Sequence, residues 1–400
     1  MGIEFSYTYS IPYIIYFLFL LLVLFYEFEL INRGKSVNSA RILCIISFLF
    51  FFGLRGFIYT DWINYYPFFE NLPTLWNADL FSIIASSQSD ELMEVGFKVY
   101  SILIKSICPD YLFWQFTSTL IDVVLLNYIF KKHSKYYTLG FIFFVLFGGL
   151  IIEINLLRNI KAILLFIYSI KFIEQKKFLP YLLINLLGFT FHFTALLYIP
   201  LYFVLNRRFF ISIYWIVFIA GNIVYLLQIE YIRPIVLSMA DIIGGKFQEV
   251  AGAYLSHDDF GSSYGITIGY IERTFSYILF FANYKSIVRN NPKYGVIFLN
   301  SFFIYFVCFS FFAEASILTD RLTILFVYSY WILYPEIFSI LKIISNKLIF
   351  IIILSLYGTL KLGIGNNNIL NKYENIVWTK STYNDKLKNY NKHKDIIFKR

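Results

Sequence analysis

Arg55-Gly56-Phe57-Ile58-Tyr59-Thr60-Asp61-Trp62-Ile63-Asn64-Tyr65-Tyr66-Pro67-Phe68-Phe69-Glu70 follows an apolar run from Ile42 to Leu54. An arginine at the mouth of a membrane helix, followed by an acidic and aromatic loop, is a costly arrangement. Charge near hydrocarbon is rare and usually faces a cavity or a partner. Apolar runs recur from Ile11 to the region of Leu362, and several end in ionisable residues on one side of the bilayer by parity. The stretch therefore reads as the outer end of one span among many. The fold class follows: an all-α polytopic integral membrane protein.

Composition agrees. Hydrophobic residues fill 59% of 400 positions, charged residues 15%, and mean hydropathy is +0.66. A soluble core of this size alternates with far more polar surface. The first run, Ile11 to Phe28, is long, ends near Glu27 and Glu29, and lacks a small-residue cleavage site, so it reads as a retained span. The net charge of +9 does not point to nucleic acid, because the basic residues sit in short loops and in the tail from Lys372 to Arg400. Cys44, Cys108 and Cys308 have neither pairing nor metal spacing and read as small hydrophobes. There is no Walker motif, dinucleotide fingerprint, zinc spacing or repeat, so no metal and no cofactor are expected.

Loop charge orients the spans. Arg33, Lys35 and Arg41 mark the cytoplasmic end of the first span, which puts the N-terminus and Arg55 outside. The external loop 55–93 is acidic (Asp61, Glu70, Asp79, Asp90, Glu91), and Lys131, Lys132 and Lys135 are inside again. One crossing, Tyr111 to Phe130, suffices between them. The piece from Glu94 to Ile107 reads as a short interfacial or re-entrant helix, with Lys98 and Lys105 snorkelling. Phe178 to Leu205 is too long for one helix and reads as two short ones meeting outside near His192. A second external loop, 228–265, carries an apolar patch from Ile232 to Ile243. The count reaches about twelve crossings in a single membrane domain, 1–363, with a basic polar tail, 364–400. That count leaves the tail's lysines outside, against the positive-inside trend.

The ionisable groups that flout hydrocarbon gather on the outer half. They are Arg55 and Asp61, Glu94, Arg158 and Lys161 with Asn155 and Asn159, His192, Glu272 and Arg273, and Glu314, Asp320 and Arg321. Arginine stays charged and grips phosphate bidentately. Arg55, Arg158, Arg273, Arg321 and Lys161 are thus candidates to ring the pyrophosphate of a lipid-linked sugar. Asp61, Glu94 and His192 are candidates to accept a hydroxyl proton. Blander readings stand beside these: Arg55 as a snorkelling residue, Arg158 paired with Glu153, Glu272-Arg273 as structural, His192 as a cap. His257-Asp258-Asp259, in a Gly/Ser-rich loop, reads as a solvated turn rather than a metal site.

These residues resemble the EpsG-like family of Wzy-type polysaccharide polymerases. Arg55-Gly56, Thr60-Asp61, Tyr65 and Phe69 resemble that family's succession after an early span, and Glu94-Val95-Gly96-Phe97 its Glu-x-Gly-Phe element. Arg158-Asn159-x-x-Ala162 and His192-Phe193-Thr194-Ala195 resemble its Arg-Gln-x-x-Ala and His-x-Ser-Ala, with Asn159 for Gln and Thr194 for Ser. Arg321 stands where a late arginine is expected. The resemblance implies a GT-C-like, metal-independent glycosyltransferase of the bacterial inner membrane, its active site facing the periplasm or cell exterior. It would join undecaprenyl-diphosphate-linked oligosaccharide donor and acceptor repeat units for O-antigen, capsule or exopolysaccharide. A chain-length regulator and a flippase of the same pathway would be its partners. The rival readings are a lipid-linked oligosaccharide flippase, and another transferase or ligase with a polyprenyl-linked donor.

Overall fold

A computed structural model of the chain describes residues 4–77, 93–243, 265–379 and 381–394. Among them every regular element is a helix, and extended pairing is limited to two isolated bridges, Phe5 with Asn368 and Arg55 with Asn375. Helices satisfy their backbone groups internally, which hydrocarbon demands. Four are long and apolar enough to cross a membrane: Tyr7–Asn32, Tyr111–His133, Tyr137–Ile154 and Ile344–Gly365. A fifth is available if Ser316–Phe326 and Tyr328–Ile340, bent by 50°, act as one span. Among the described residues the fold is all-helical, and the chain is a membrane protein.

The expectation of about twelve crossings is met only in part, because several apolar runs break up. Asn38–Phe48 winds into a π-helical turn, Leu49–Gly53. The run after Lys177 divides at His192 into the helix Phe178–Phe191 and the 3-10 helix Phe193–Phe203. Leu157–Glu174 is 18 residues long but carries Arg158, Lys161, Lys171 and Glu174. Most of its side chains are buried, so its walls are protein rather than lipid. Residues 78–92 and 244–264, with Asp79, Asp90, Glu91 and the His257-Asp258-Asp259 turn, lie outside the described residues.

The chain forms two compact units, Met1–Tyr202 with Tyr334–Arg400, and Phe203–Leu333. In the first, Tyr137–Ile154 is the inner helix: 89% of its apolar window is buried, against 28% for Ile344–Gly365. It kinks at Gly148, whose φ of +76° only glycine adopts without strain. The unit's two ends are chemically distinct. At one, Glu27 accepts from the Tyr137 and Thr138 amides, Arg41 lies over the Tyr137 ring, and Lys347 donates to the Tyr136 hydroxyl. At the other, the N-terminus, the Arg55–Asp61 loop and the tail converge. The Ser6 amide donates to the Asn367 carbonyl, the Gly56 amide to Glu374, and the Ile376 amide to Leu54. The 366–394 segment is therefore packed onto the same end as the quoted stretch.

An aromatic cluster fills that end. Phe57, Trp62, Tyr65 and Phe69 of the loop and the helix Trp62–Asn71 pack on Phe97 and Trp114. Phe97 belongs to the short helix Val95–Ile107. Gly96 lets this helix approach Phe178–Phe191, because a Cβ there would sit 2.1 Å from the Thr190 hydroxyl oxygen. Lys98 does not snorkel, whereas Lys105 reaches the polar end of the neighbouring helix. Lys98 is buried, and Lys105 donates to the carbonyls of Phe69 and Glu70, satisfying the C-terminus of Trp62–Asn71.

In the second unit, Ile211–Leu226 and Ile268–Ala282 pack on Gly295–Phe311. Asn300 holds them to the entering chain, accepting from the Tyr214 hydroxyl and donating to the carbonyls of Leu205 and Arg207. The apolar patch Ile232–Ile243 is a helix, capped by Glu314, which accepts from the amides of Tyr231, Ile232 and Arg233.

Candidate active site

Four of the sequence-predicted residues come together at the loop end of the first unit. The chain leaves the inner helix at Ile154, turns through Asn155 and re-enters a helix at Leu157. Asn155 clamps the quoted stretch into this turn: its Oδ1 accepts from the amides of Thr60 (3.2 Å) and Asp61 (3.3 Å), and its Nδ2 donates to the Thr60 hydroxyl. Asp61 is thereby fixed at the start of Trp62–Asn71, and the Thr60 hydroxyl donates to its Oδ1.

Arg158, in the first turn after Asn155, donates to Glu94 Oε2 at 2.7 Å, and the Tyr65 hydroxyl lies against the same guanidinium. The other oxygen of Glu94 accepts from the Phe193 amide. Glu94, rather than the sequence neighbour Glu153, is thus the partner of Arg158. His192 occupies the break between its two helices in an extended conformation. Its Nδ1 lies 2.7 Å from the Thr194 hydroxyl, which donates to Asn159 Oδ1. The Thr194 amide also donates to Nδ1 (3.3 Å), so the 192–194 turn holds the ring by that nitrogen.

Electrostatics single out Asp61. Burial pushes its carboxyl above the usual carboxylate range, while the Thr60 hydroxyl and the charge of Arg158 pull it back. Tyr65, wholly buried, is pushed up to about 12 by desolvation and stays a neutral donor. The site thus offers a positioned carboxylate of raised basicity, one guanidinium, one imidazole and a phenol.

Arg55 and Lys161 go elsewhere. Arg55 is 2% exposed, and its guanidinium turns inward to the carbonyls of Phe52 and Glu153 and to the Thr119 hydroxyl. Lys161 forms a buried ion pair with Asp122 and donates to Ser118. Both cations therefore sit beneath the loop, not in an open mouth. Arg273 and Arg321 belong to the second unit. Arg273 lies 4.4 Å from the centre of the Phe309 ring and donates to the Tyr305 hydroxyl, whereas Arg321 is exposed.

The partners of the buried cations are the residues sequence reasoning missed. Gln115, Ser118, Thr119 and Asp122 form a polar stripe on Tyr111–His133. Gln115 donates to the Arg55 carbonyl, and Thr119 donates to Glu153 Oε1 while receiving Arg55. Their i, i+3, i+4, i+7 spacing within an apolar run is the signal that finds them.

A sequence profile described as the EpsG family matches residues 40–370, a range that holds every residue of this site. No curated protein and no solved structure matches the chain.

Proposed function

Because the chain belongs to the EpsG family, we propose that it is a polysaccharide polymerase, a metal-independent membrane glycosyltransferase that joins undecaprenyl-diphosphate-linked repeat units. The reaction would take place at the outer face of the bacterial inner membrane. One observation carries the reading: Asp61, Glu94, Arg158 and His192, drawn from four separate segments, converge at one end of the first unit. Ionisable groups gathered at a membrane helix mouth commonly mark a polar ligand's site, which supports the reading.

The chemistry is glycosyl transfer. An acceptor hydroxyl attacks the donor's anomeric carbon, the bond to the diphosphate breaks, and the hydroxyl proton passes to a base. Asp61 is the base in this reading, since burial raises its basicity while Thr60 and Asn155 hold it. Arg158 supplies the positive charge that steadies the departing diphosphate, exchanging part of its contact with Glu94 for phosphate oxygens. His192, held by Thr194 beside the Glu94–Arg158 pair, orients the sugar. Arg55 and Lys161 act through the scaffold: Arg55 ties the loop to the 153–158 turn, and Lys161 ties the Arg158 helix to Asp122. The proposal rests on the first unit alone.

The test is glycan length in the native host, comparing a deletion complemented with wild type, Asp61→Asn or Arg158→Gln at matched protein levels. Collapse of the long ladder to a single repeat unit is expected for both variants. Loss of all surface glycan, with single units trapped inside, would assign a flippase instead. An intact ladder in the deletion strain would remove the polymerase reading.

A further inference from the structure

On a count of about twelve crossings the basic tail would lie outside, against the positive-inside trend. Between Lys372 and Arg400 it holds eight Lys and Arg against three acidic residues, a surplus of five in a chain of net charge +9. Five of those cations, Lys372, Lys386, Lys388, Lys392 and Lys394, are among the described residues. After the bridge to Arg55, Ile376, Val377 and Trp378 stand out from the protein, 38%, 62% and 59% exposed. Such a triplet is unfavourable in water but suits the hydrocarbon boundary, where tryptophan is enriched. The triplet is also continuous with an exposed apolar surface of the helices. The Trp378 ring lies 5.8 Å from that of Phe50, which is itself exposed beside Ile46.

Trp378 closes one end of a groove of about 530 Å³ between the first helix (Pro12, Ile15, Phe19) and the second (Ile46, Phe50). No polar atom faces into it. Beyond the triplet, the helix Tyr383–His393 is anchored on the aromatic cluster. Tyr383 stacks on Tyr66 at 4.2 Å, and Lys386 pairs with Glu374. Lys372, Lys388, Lys392 and Lys394 remain exposed.

We propose that residues 372–379 and 381–394 form a lipid-binding collar at the active-site end of the first unit, seating an anionic phospholipid with one chain in the groove and its headgroup among the exposed lysines. The apolar lining fits a hydrocarbon chain, the tail's surplus charge fits an anionic phosphate, and the triplet fits the boundary between them. The Arg55–Asn375 bridge and the Gly56–Glu374 hydrogen bond tie the collar to the loop that ends in Asp61. Occupancy of the groove therefore bears on the loop's position. The inference does not depend on which reaction the site performs.

The experiment reconstitutes the full chain in vesicles of phosphatidylglycerol or phosphatidylcholine with chains brominated near the glycerol. Bromine quenches tryptophan on contact. Wild type is expected to lose more fluorescence than Trp378→Phe, an exposed and conservative change. Native mass spectrometry is expected to find phosphatidylglycerol retained severalfold over phosphatidylcholine, with the preference lost in the Lys388→Gln/Lys392→Gln/Lys394→Gln variant. Equal quenching of wild type and Trp378→Phe would overturn insertion of the triplet. Equal retention of the two lipids would overturn the anionic site. Displacement of phosphatidylglycerol by added polyprenyl phosphate would overturn the phospholipid as occupant and assign the groove to a carrier lipid.

Discussion

Glu94 and Arg158, 64 positions apart, meet as an ion pair of 2.7 Å at the end of the first unit where Asp61 is fixed. The second oxygen of Glu94 holds the Phe193 amide, so one carboxylate joins the helix Val95–Ile107, the start of Leu157–Glu174 and the His192 break. Arg158 is 22% and Glu94 18% exposed, between a surface and a buried pair, so the pair is worth on the order of 1 kcal/mol to stability. Its catalytic worth is set on another scale, because a charge that meets a leaving diphosphate commonly contributes about 10²–10³-fold. Glu94→Gln and Arg158→Gln are therefore expected to unfold in detergent close to wild type, while Arg158→Gln loses polymerisation by that larger factor. Thermal unfolding and ladder length, read on the same preparations, check this. A stability loss large enough to account for the missing polymer would make the pair structural only.

The raised basicity of Asp61 has a pH signature. As the base, Asp61 works ionised, so the rate falls as pH drops through its folded-state pKa. Burial holds that pKa above the ordinary carboxylate value, and the charge of Arg158 lowers it in part. Removing the charge leaves burial less opposed. The acid limb of the residual activity of Arg158→Gln is thus expected at higher pH than in wild type. A pH–rate profile in proteoliposomes measures it, and a limb that stays put or moves to lower pH sinks the assignment.

The sequence reading reached the membrane class, the helix break at His192 and the residues that converge, because each leaves a local mark. Phe178 to Leu205 exceeds one span, and Glu94 and Arg158 stand alone at apolar run ends. Direction leaves no such mark. Arg55 and Arg158 look alike as arginines at helix mouths, yet Arg55 turns inward to a carbonyl 98 positions away while Arg158 reaches across to Glu94. The difference lies in the polar stripe on Tyr111–His133, which receives Arg55 and Lys161. The number of crossings was hard to read for a related reason. Hydropathy does not separate a run walled by lipid from one walled by protein, and Leu157–Glu174 is the second kind.

Gly96 tests how closely the two short helices must approach. An added Cβ would lie 2.1 Å from the Thr190 hydroxyl oxygen and 2.8 Å from the Thr190 carbonyl oxygen, and the backbone atom cannot swing away. Gly96→Ala is expected to cost about 1–3 kcal/mol through overpacking. It should also move Glu94, two residues earlier, off Arg158. Gly96→Ala combined with Thr190→Ala removes the hydroxyl but neither the Thr190 Cβ position (2.6 Å) nor the carbonyl, and should recover only part of the loss. Full recovery in thermal unfolding would show that the hydroxyl alone sets the spacing.

Lys161 separates a phosphate ligand from a scaffold cation. Its ammonium is 3% exposed and paired with Asp122, whose side chain is fully buried. Asp122→Ala leaves that charge unpaired among protein walls, at a cost of roughly 3–5 kcal/mol. Asp122→Leu/Lys161→Met replaces both charges by apolar groups, and such exchanges are commonly neutral or stabilising. The double variant is therefore expected to express and unfold like wild type, although the single one does not. If Lys161 only ties its helix to Tyr111–His133, the double variant keeps most of its polymerising activity, because Arg158 stays where it was. A double variant as stable as wild type yet without polymer would mean that the ammonium reaches the diphosphate during turnover. The positioning role would then be wrong.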